Sequence, residues 1–567
     1  MTKKNRSLTG AEALVKSLDA AGAEIVFGYP GGQALDIFDA IVKARFKFIL
    51  SRHEQGAAHM ADGYARSTGR AGVCIVTSGP GATNLITGLA TAYMDGVPMV
   101  AVTAQVPLSQ IGTDAFQEAD MTGICRAVTK HSFLVKSADE IPETVAAAFY
   151  IATHGKPGPV VIDIPKNVQQ EKTCAEYPER VSLRAYHPEH YASARDVNIL
   201  AKIINNAKRP VIYAGGGVIA SGASGDVVAL ARKSDIPVAT TLMGIGSIDE
   251  HDELSLGFAG MHGSAEANYA IAHADVLIAL GVRFSDRITG KISTYAKRAK
   301  IVHVDIDPAS INKNLPVSLG IVADIKDLLT TVNSRIRKSV HKAWREDIAE
   351  WKARYAEQSK RSEKSPFISP RDVIENIYRA TNGSAVIVTD VGQHQMWTAQ
   401  YFKHSIPRHF LTSGGMGTMG FGIPAAIGAA FARPDHKTIA ICGDGGAQMT
   451  ISELVVAVEH KLPVTFIVVN NGCLGMVRQW QELFFKGNYS ASVFSDKGGK
   501  YLPDLCKIAL AHGVKAYRVT EVSKLPTVLK KALRSRTPTF VDVIVDPRAN
   551  VYPLLPYGKT LTEAIYR

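Results

Sequence analysis

The chain has 567 residues, 46% hydrophobic and 20% charged, with 64 basic against 52 acidic side chains and a formal charge of +12. At roughly 100–200 residues per domain this predicts about three to five domains, three being the simplest, and the ordinary composition excludes disorder and collagen-like structure. Apolar runs such as Val97 to Ala104 or Val276 to Val282 fall far short of the roughly 20 residues that cross a bilayer, so a soluble protein is expected.

Thr9-Gly-Ala-Glu12 predicts a capping box opening a helix, with Leu14, Val15 and Leu18 on one face. So few residues precede it that neither a signal nor a transit peptide is expected. Apolar runs at Glu24–Tyr29, Phe46–Leu50, Val73–Thr77, Met99–Thr103 and Val160–Ile164 read as strands between helical patterns, the signature of a parallel sheet flanked by helices. The stretch from Gln169 to Ala194, with Pro178 and Pro188, reads as a linker. A second unit follows with strands at Val211–Ala214, Val238–Thr241, Val276–Ala279 and Ile301–Asp305, ending near Ala323. The segment from Arg335 to Lys364 holds ten Lys or Arg and five acids, mixed signs that read as a solvated helical face rather than a nucleic-acid stripe. Ser369-Pro370 caps the helix that opens a third unit, with strands at Ala385–Thr389, Thr438–Cys442, Val464–Val469 and Phe540–Val545. No repeat joins the three units, although all look like variants of one architecture. The six cysteines form no CxxC pair, so neither zinc nor a disulfide framework is suggested, and a reducing, cytoplasmic setting fits.

The strongest chemical signal is Gly443-Asp444-Gly445-Gly446 after one strand of the third unit and Asn470-Asn471 after the next, with a helix capped by Thr450 and Glu453 expected between them. Both turns fall at strand C-terminal ends, where open parallel sheets bind ligands. A carboxylate with an amide oxygen suits a hard cation such as Mg²⁺, and the glycines admit phosphate oxygens close to the backbone. A lone Gly-Asp-Gly is usually only a turn, but paired with Asn470-Asn471 it resembles the signature of thiamine-diphosphate enzymes. That superfamily also needs a glutamate from another domain against the cofactor's aminopyrimidine. Glu54, in Ser51-Arg52-His53-Glu54-Gln55-Gly56, stands at the right edge of the first sheet, although alone it would read as a first-turn glutamate favoured by the helix dipole.

Within the superfamily, Ile111 to Glu118, Lys130-His131, Leu242-Met243-Gly244, Gly260 to Gly263, Gly281 to Arg287, Val302 to Asp307 and Gly475 to Trp480 resemble the acetolactate synthase (acetohydroxyacid synthase) catalytic-subunit family over nearly the whole length. The resemblance implies three doubly wound parallel-sheet α/β domains: a pyrimidine-binding domain over 1–170, a linker over 171–194, a central FAD-binding domain over 195–330, a charged helical linker over 331–368, a diphosphate- and Mg-binding domain over 369–548 and a tail over 549–567. It implies catalytic roles for Glu54, Gly32, Gln117 and Met419, with Arg287 and Trp480 selecting the second 2-oxo acid. Thiamine diphosphate would meet Glu54, Val391, Gly392, Gln393, His394, Met419, Gly443, Asp444, Gly445, Gly446, Asn471, Cys473, Leu474, Gly475, Met476 and Val477, with Mg²⁺ on Asp444, Asn471 and the backbone carbonyl of Cys473. A structural FAD would meet Gly215, Gly216, Gly217, Thr241, Leu242, Met243, His262, Gly281, Arg283, Asp305, Ile306 and Asp324. The implied reaction decarboxylates pyruvate and joins its two-carbon remainder to a second pyruvate or to 2-oxobutyrate, at the start of branched-chain amino acid synthesis. A homodimer or homotetramer with a small regulatory subunit is implied. The alternative is another thiamine-dependent 2-oxo acid decarboxylase or oxidase, or a catabolic acetolactate synthase, although the latter lack FAD and the tryptophan. Ser285, Ser109 and Tyr557 depart from common family residues at the entry channel, which bears on inhibitor sensitivity.

Overall fold

The computed structural model describes residues 7–359, 366–496, 499–500 and 503–566. Three six-stranded sheets, each wholly parallel, follow one another along the chain. The first comprises β1 (Ile25–Tyr29), β2 (Lys47–Leu50), β3 (Gly72–Val76), β4 (Met99–Gln105), β5 (His131–Leu134) and β6 (Pro159–Pro165). The second comprises β7 (Pro210–Ala214), β8 (Val238–Thr240), β9 (Ser255–Phe258), β10 (Val276–Leu280), β11 (Lys300–Asp305) and β12 (Leu319–Val322). The third comprises β13 (Val386–Thr389), β14 (Phe410–Leu411), β15 (Thr438–Gly443), β16 (Thr465–Asn470), β17 (Lys515–Val519) and β18 (Thr539–Ile544). The helices used below are α1 (Glu54–Thr68), α2 (Lys342–Ser359), α3 (Gly422–Ala432), α4 (Asp444–Thr450) and α5 (Gly475–Phe484).

The first sheet runs β2-β1-β3-β4-β6-β5 and the third β14-β13-β15-β16-β18-β17. Relabelled from their own first strands these are the same order, so two units without sequence repetition share one topology. The central sheet runs β9-β8-β7-β10-β11-β12, the dinucleotide-binding order. Interior strands such as β3, β4, β7, β10 and β18 are buried almost throughout and covered on both faces; β3 and β10 are wholly apolar, whereas β4 and β18 carry buried polar residues such as Gln105 and Asp542. Five of the six edge strands (β5, β9, β12, β14 and β17) have no counterpart among the sequence-predicted ones. β5, β12 and β17 are largely exposed or half-buried and β14 has only two residues, so none offers a long apolar run.

The first and third sheets face each other across one shared core. Phe27, Ile49 and Cys74 from one, and Val388, Ala440 and Phe466 from the other, belong to a single buried cluster filled by α1 and α3. These helices cross without intervening side chains. A Cβ on Gly63 would lie 2.1 Å from the Ala425 carbonyl oxygen, and one on Gly428 would lie 1.9 Å from that of Met60. The outer faces of the two sheets pack into separate clusters. The central sheet has its own core on each face.

The capping boxes and caps predicted at Thr9 and Ser369 are present. The charged helix α2 has a buried side that its charge pattern conceals. Trp344 and Ile348 pack into the central domain, and the Trp344 indole donates to the Pro210 carbonyl at 3.0 Å. The end of the charged stretch, up to Lys364, lies outside the described residues. The C-terminal segment returns to the same domain, burying Leu555 and Leu561 there.

The backbone contact at the α1–α3 crossing predicts that Gly428→Val costs about 1–3 kcal/mol of stability through overpacking. Gly225→Ala, at a position with nothing within 4 Å, leaves the thermal midpoint unchanged or raised. Scanning calorimetry of both variants checks this.

Candidate active site

In the third sheet the strand order reverses at β13, and the loops after β13 and β15 flank the resulting crevice. Asp444 begins α4 directly, with no turn between strand and helix. Its buried carboxylate accepts the Gly445 and Gly472 N–H groups at 2.9 and 2.7 Å, and burial pushes its carboxyl up to about 7. The Gly472 contact sets Asp444 beside the 471–473 turn, where the Asn471 side-chain oxygen accepts Cys473 N–H at 3.2 Å. Burial raises the Cys473 thiol to about 11, so it stays protonated. Among the described residues no three His, Cys, Asp or Glu side chains gather to hold an ion. The donor set on offer is one carboxylate, one amide oxygen and backbone carbonyl, which fits a hard cation completed by phosphate and water.

The expected helix cap between the two turns takes another form. Thr450 ends α4 and donates its hydroxyl to the Gly420 carbonyl at 3.0 Å, with no side-chain capping bond. Glu453 instead reaches the first domain and accepts Arg52 N–H at 2.9 Å. Tertiary partners, the Gly420 carbonyl for Thr450 and the Arg52 N–H for Glu453, outcompete the local cap.

Met419 lies on the glycine loop before α3, which is tied down from both ends. Asp390, buried after β13, accepts N–H groups from Val391, Gly420 and Gly422 at 2.8, 3.0 and 2.8 Å. Asp95 of the first domain accepts Gly414 and Gly415 N–H at 3.0 and 2.7 Å. Asp95 is in turn paired with Arg66, itself paired with Asp62 and donating to the Thr412 carbonyl. His394 packs its ring against Gly392 and Gly443, and burial lowers it to about 3, leaving it neutral. Gln393 is buried and turns its amide to protein partners. Leu474 packs beside Gly445, and Gly475 opens α5, which carries Met476, half-exposed Val477 and Trp480.

In the central domain the strand order reverses between β7 and β10. Gly215 and Gly217 there meet the Gly281 backbone so closely that added Cβ atoms would fall 2.1 Å from Gly281 oxygen and 2.7 Å from its Cα. A cavity of about 1000 Å³ opens from this crevice. Gly216, Gly217, Thr241, Leu242, Met243, His262, Gly281, Arg283, Asp305, Ile306 and Asp324 line it, and it continues to Val391, Gly392, Met419, Met476, Trp480 and Arg287. Gly215 stands just behind the wall. The His262 ring bonds the Pro553 carbonyl at 3.0 Å, and burial lowers it to about 4. Burial raises Asp305 to about 6. A long groove floored by glycine at a topological switch point, with a carboxylate after the next strand, fits a dinucleotide.

Glu54, Gly32 and Gln117 do not line this cavity. They gather at the C-terminal edge of the first sheet. Glu54 opens α1 and accepts the Asn84 amide at 2.9 Å. Gly32 is exposed after β1, its carbonyl accepting the Lys166 ammonium at 3.0 Å. Gln117 holds φ 61°, and its backbone presses on Gly79, where a Cβ would come within 2.6 Å of the Gln117 carbonyl oxygen. One chain thus separates the expected site residues into two groups.

Three models of thiamine pyrophosphate enzymes match in order: the N-terminal TPP binding domain over 8–124, the central domain over 197–332 and the C-terminal TPP binding domain over 390–543. The chain is 44% identical to the acetolactate synthase large subunit of Haemophilus influenzae, covering 99% of this chain and 98% of that protein. It is 44% identical to the large subunit of Corynebacterium glutamicum, over 99% of this chain and 90% of that one. It is also 43% identical to the chloroplastic acetolactate synthase 1 of Nicotiana tabacum, over 98% and 84%. The chain belongs to the acetolactate synthase large-subunit family of thiamine pyrophosphate enzymes.

In this family member, the motif residues Val391, Gly392, Met419, Met476, Trp480 and Arg287 line the cavity, whereas the residues that brace its loops belong to no motif. Asp390, Asp95, Arg66 and Glu453 have no local signature, because each acts on backbone distant in sequence. The one available signal is a lone acid inside an otherwise apolar strand end, as at Asp390.

Burial raises Glu453 to about 7 from an ordinary 4.5, with the neighbouring Glu54 charge adding to the effect. A carboxyl raised on folding contributes stability that is full below its unfolded value and is lost as pH rises through the folded one. The melting temperature of Glu453→Gln should therefore gain on that of the unaltered protein between about pH 4.5 and 7 and level off above. A difference independent of pH in paired thermal melts would contradict this.

Proposed function

We propose that this chain is the catalytic subunit of an acetolactate synthase, forming 2-acetolactate from two pyruvates, or 2-aceto-2-hydroxybutyrate from pyruvate and 2-oxobutyrate. The observation that carries this reading is the shared cavity. Met419 and the Val391-Gly392 loop after β13 of a thiamine-binding domain open onto the same space as Arg287 and Trp480. A guanidinium suits the carboxylate of an incoming 2-oxo acid, and an indole beside it favours a slightly larger alkyl group.

Thiamine diphosphate, when bound, supplies the electron sink that lets the bond to the carboxylate carbon break. Asp444, Asn471 and the Cys473 carbonyl would hold Mg²⁺ against its diphosphate, and the glycine N–H groups after β13 and β15 would take the remaining oxygens. Met419, fixed by Asp390 through its neighbour Gly420, would brace the middle of the cofactor. Glu54 would hold a proton at the aminopyrimidine, and Gly32 N–H and the Gln117 amide would stand near the reacting carbonyl. The central groove would take FAD in a structural role, since joining two 2-oxo acids with loss of CO₂ involves no net electron transfer.

Because Glu54 and the Asp444 crevice occupy different edges of one chain, we assign the complete site to two copies, making a homodimer the smallest active unit and a homotetramer the next closed assembly. The relatives are named large subunits, which supports a small regulatory partner. Among the described residues no helix is long and apolar enough to cross a membrane, and a reducing cytoplasm suits six free cysteines.

Glu54→Gln should lower acetolactate formation at least about 100-fold while thiamine diphosphate still binds, the scale of a lost acid–base group. Asp444→Ala should lose cofactor binding by calorimetry. Mixing the two inactive variants under subunit exchange should restore activity, since a hybrid dimer keeps one intact site. No recovery in demonstrated hybrids would refute the shared site, and a main product of acetaldehyde or peroxide from pyruvate would refute the activity.

A further inference from the structure

Gln393 is 2% exposed, and both hydrogens of its amide nitrogen are committed, one to the Gln479 side-chain oxygen at 2.9 Å and one to the Ala549 carbonyl at 3.0 Å. Its own oxygen accepts the Asn471 amide nitrogen at 3.1 Å. A glutamine has two donors to give, so none is left for an anionic ligand. The contact also fixes which end of Asn471 points away from Gln393. With its nitrogen held, Asn471 presents its oxygen to the turn shared with Asp444. The opposite orientation would aim two N–H groups at a cation and set two amide oxygens against each other.

The same side chain continues into α5. A Cβ at Gly475 would lie 2.1 Å from the Gln393 oxygen and 2.5 Å from the Asn471 nitrogen, so the helix begins pressed on the pair. One turn on, fully buried Gln479 takes the Gln393 bond and clasps Val551, accepting its N–H and donating to its carbonyl, each at 2.9 Å. Trp480 and Met476 of this helix face the cavity.

Resting on the assignment of Asp444 and Asn471 to the cation and of Trp480 to acceptor choice, we infer that Gln393 is a positioning residue with two outputs. It keeps the Asn471 oxygen toward the cation site, and through Gln479 it sets the pose of the helix that selects the second 2-oxo acid. Metal affinity and acceptor preference are thereby linked through one buried amide.

Two variants at Gln393 separate the outputs. Gln393→Met removes every bond, whereas Gln393→Glu keeps the acceptor for Asn471 but sets a carboxylate oxygen against two acceptors, Gln479 and Ala549. With thiamine diphosphate present, Mg²⁺ titration calorimetry should show Gln393→Met weakened about 10–100-fold, the usual cost of losing an outer partner of a metal ligand, and Gln393→Glu within about threefold of the parent. With pyruvate and 2-oxobutyrate in competition, Gln393→Glu should shift the product ratio on the order of tenfold. Unchanged Mg²⁺ affinity in a folded Gln393→Met protein, or an unchanged product ratio in Gln393→Glu, overturns the proposal. Should Gln393→Met not fold, Gln479→Met tests the helix link: the proposal requires an altered product ratio with Mg²⁺ affinity kept, and the reverse pattern overturns it. A parent protein that binds Mg²⁺ with the cofactor yet makes no acetolactate would instead sink the activity assignment and leave the metal result standing.

Discussion

The place where α1 and α3 touch backbone to backbone governs the rest of the molecule. Because Gly63 and Gly428 bring no side chains, the helices close to van der Waals contact, and the two sheets they serve condense onto a single core. A close-packed interior is stiff rather than fluid, so the sheets hold one relative pose and their loops cannot drift apart. Larger side chains there would push the first and third domains away from each other and break polar contacts that depend on their close approach.

Those contacts are unusual in being buried and charged. Arg66 lies between Asp62 and Asp95, and the second of these carboxylates also anchors the loop before Met419. Glu453 crosses the same boundary in the other direction, to the start of the helix that Glu54 opens. Taking such groups from water is expensive and contributes little net stability, whereas breaking one side is strongly unfavourable. Their effect is to fix one registration of the two domains at the loops that carry the chemistry.

The repeated strand order explains where those loops lie. In both outer sheets the order reverses between the first and third strands, and in the central sheet between the first and fourth. Each reversal leaves a crevice flanked by two loops, and each crevice is glycine-rich. The positive charge has a different origin from any of these sites. Asp390, Asp444, Glu453 and Asp542 of the third domain are all buried, so these acids serve internal bonds. Beyond about 8–10 Å such a field is screened at physiological salt.

The sequence by itself determined the interior strands, the helix caps at Thr9 and Ser369, and the loops around Asp444, Asn471 and Gly281. These are short-range features: a strand buried on both faces is mostly apolar, and a turn pressed on neighbouring backbone, as Gly281 is on Gly217, needs glycine. Edge strands escaped notice because β5, β12 and β17 are largely exposed or half-buried and β9 and β14 are only four and two residues long. The packing of α2 escaped because a buried Trp344 hides among surface charges. Only the tertiary structure decided that Glu453 leaves its own helix to meet Arg52 and that Gln393 spends its amide on Gln479 and Ala549. Each joins residues separated by tens to hundreds of positions, and a hydrogen bond between distant segments leaves no local pattern to read.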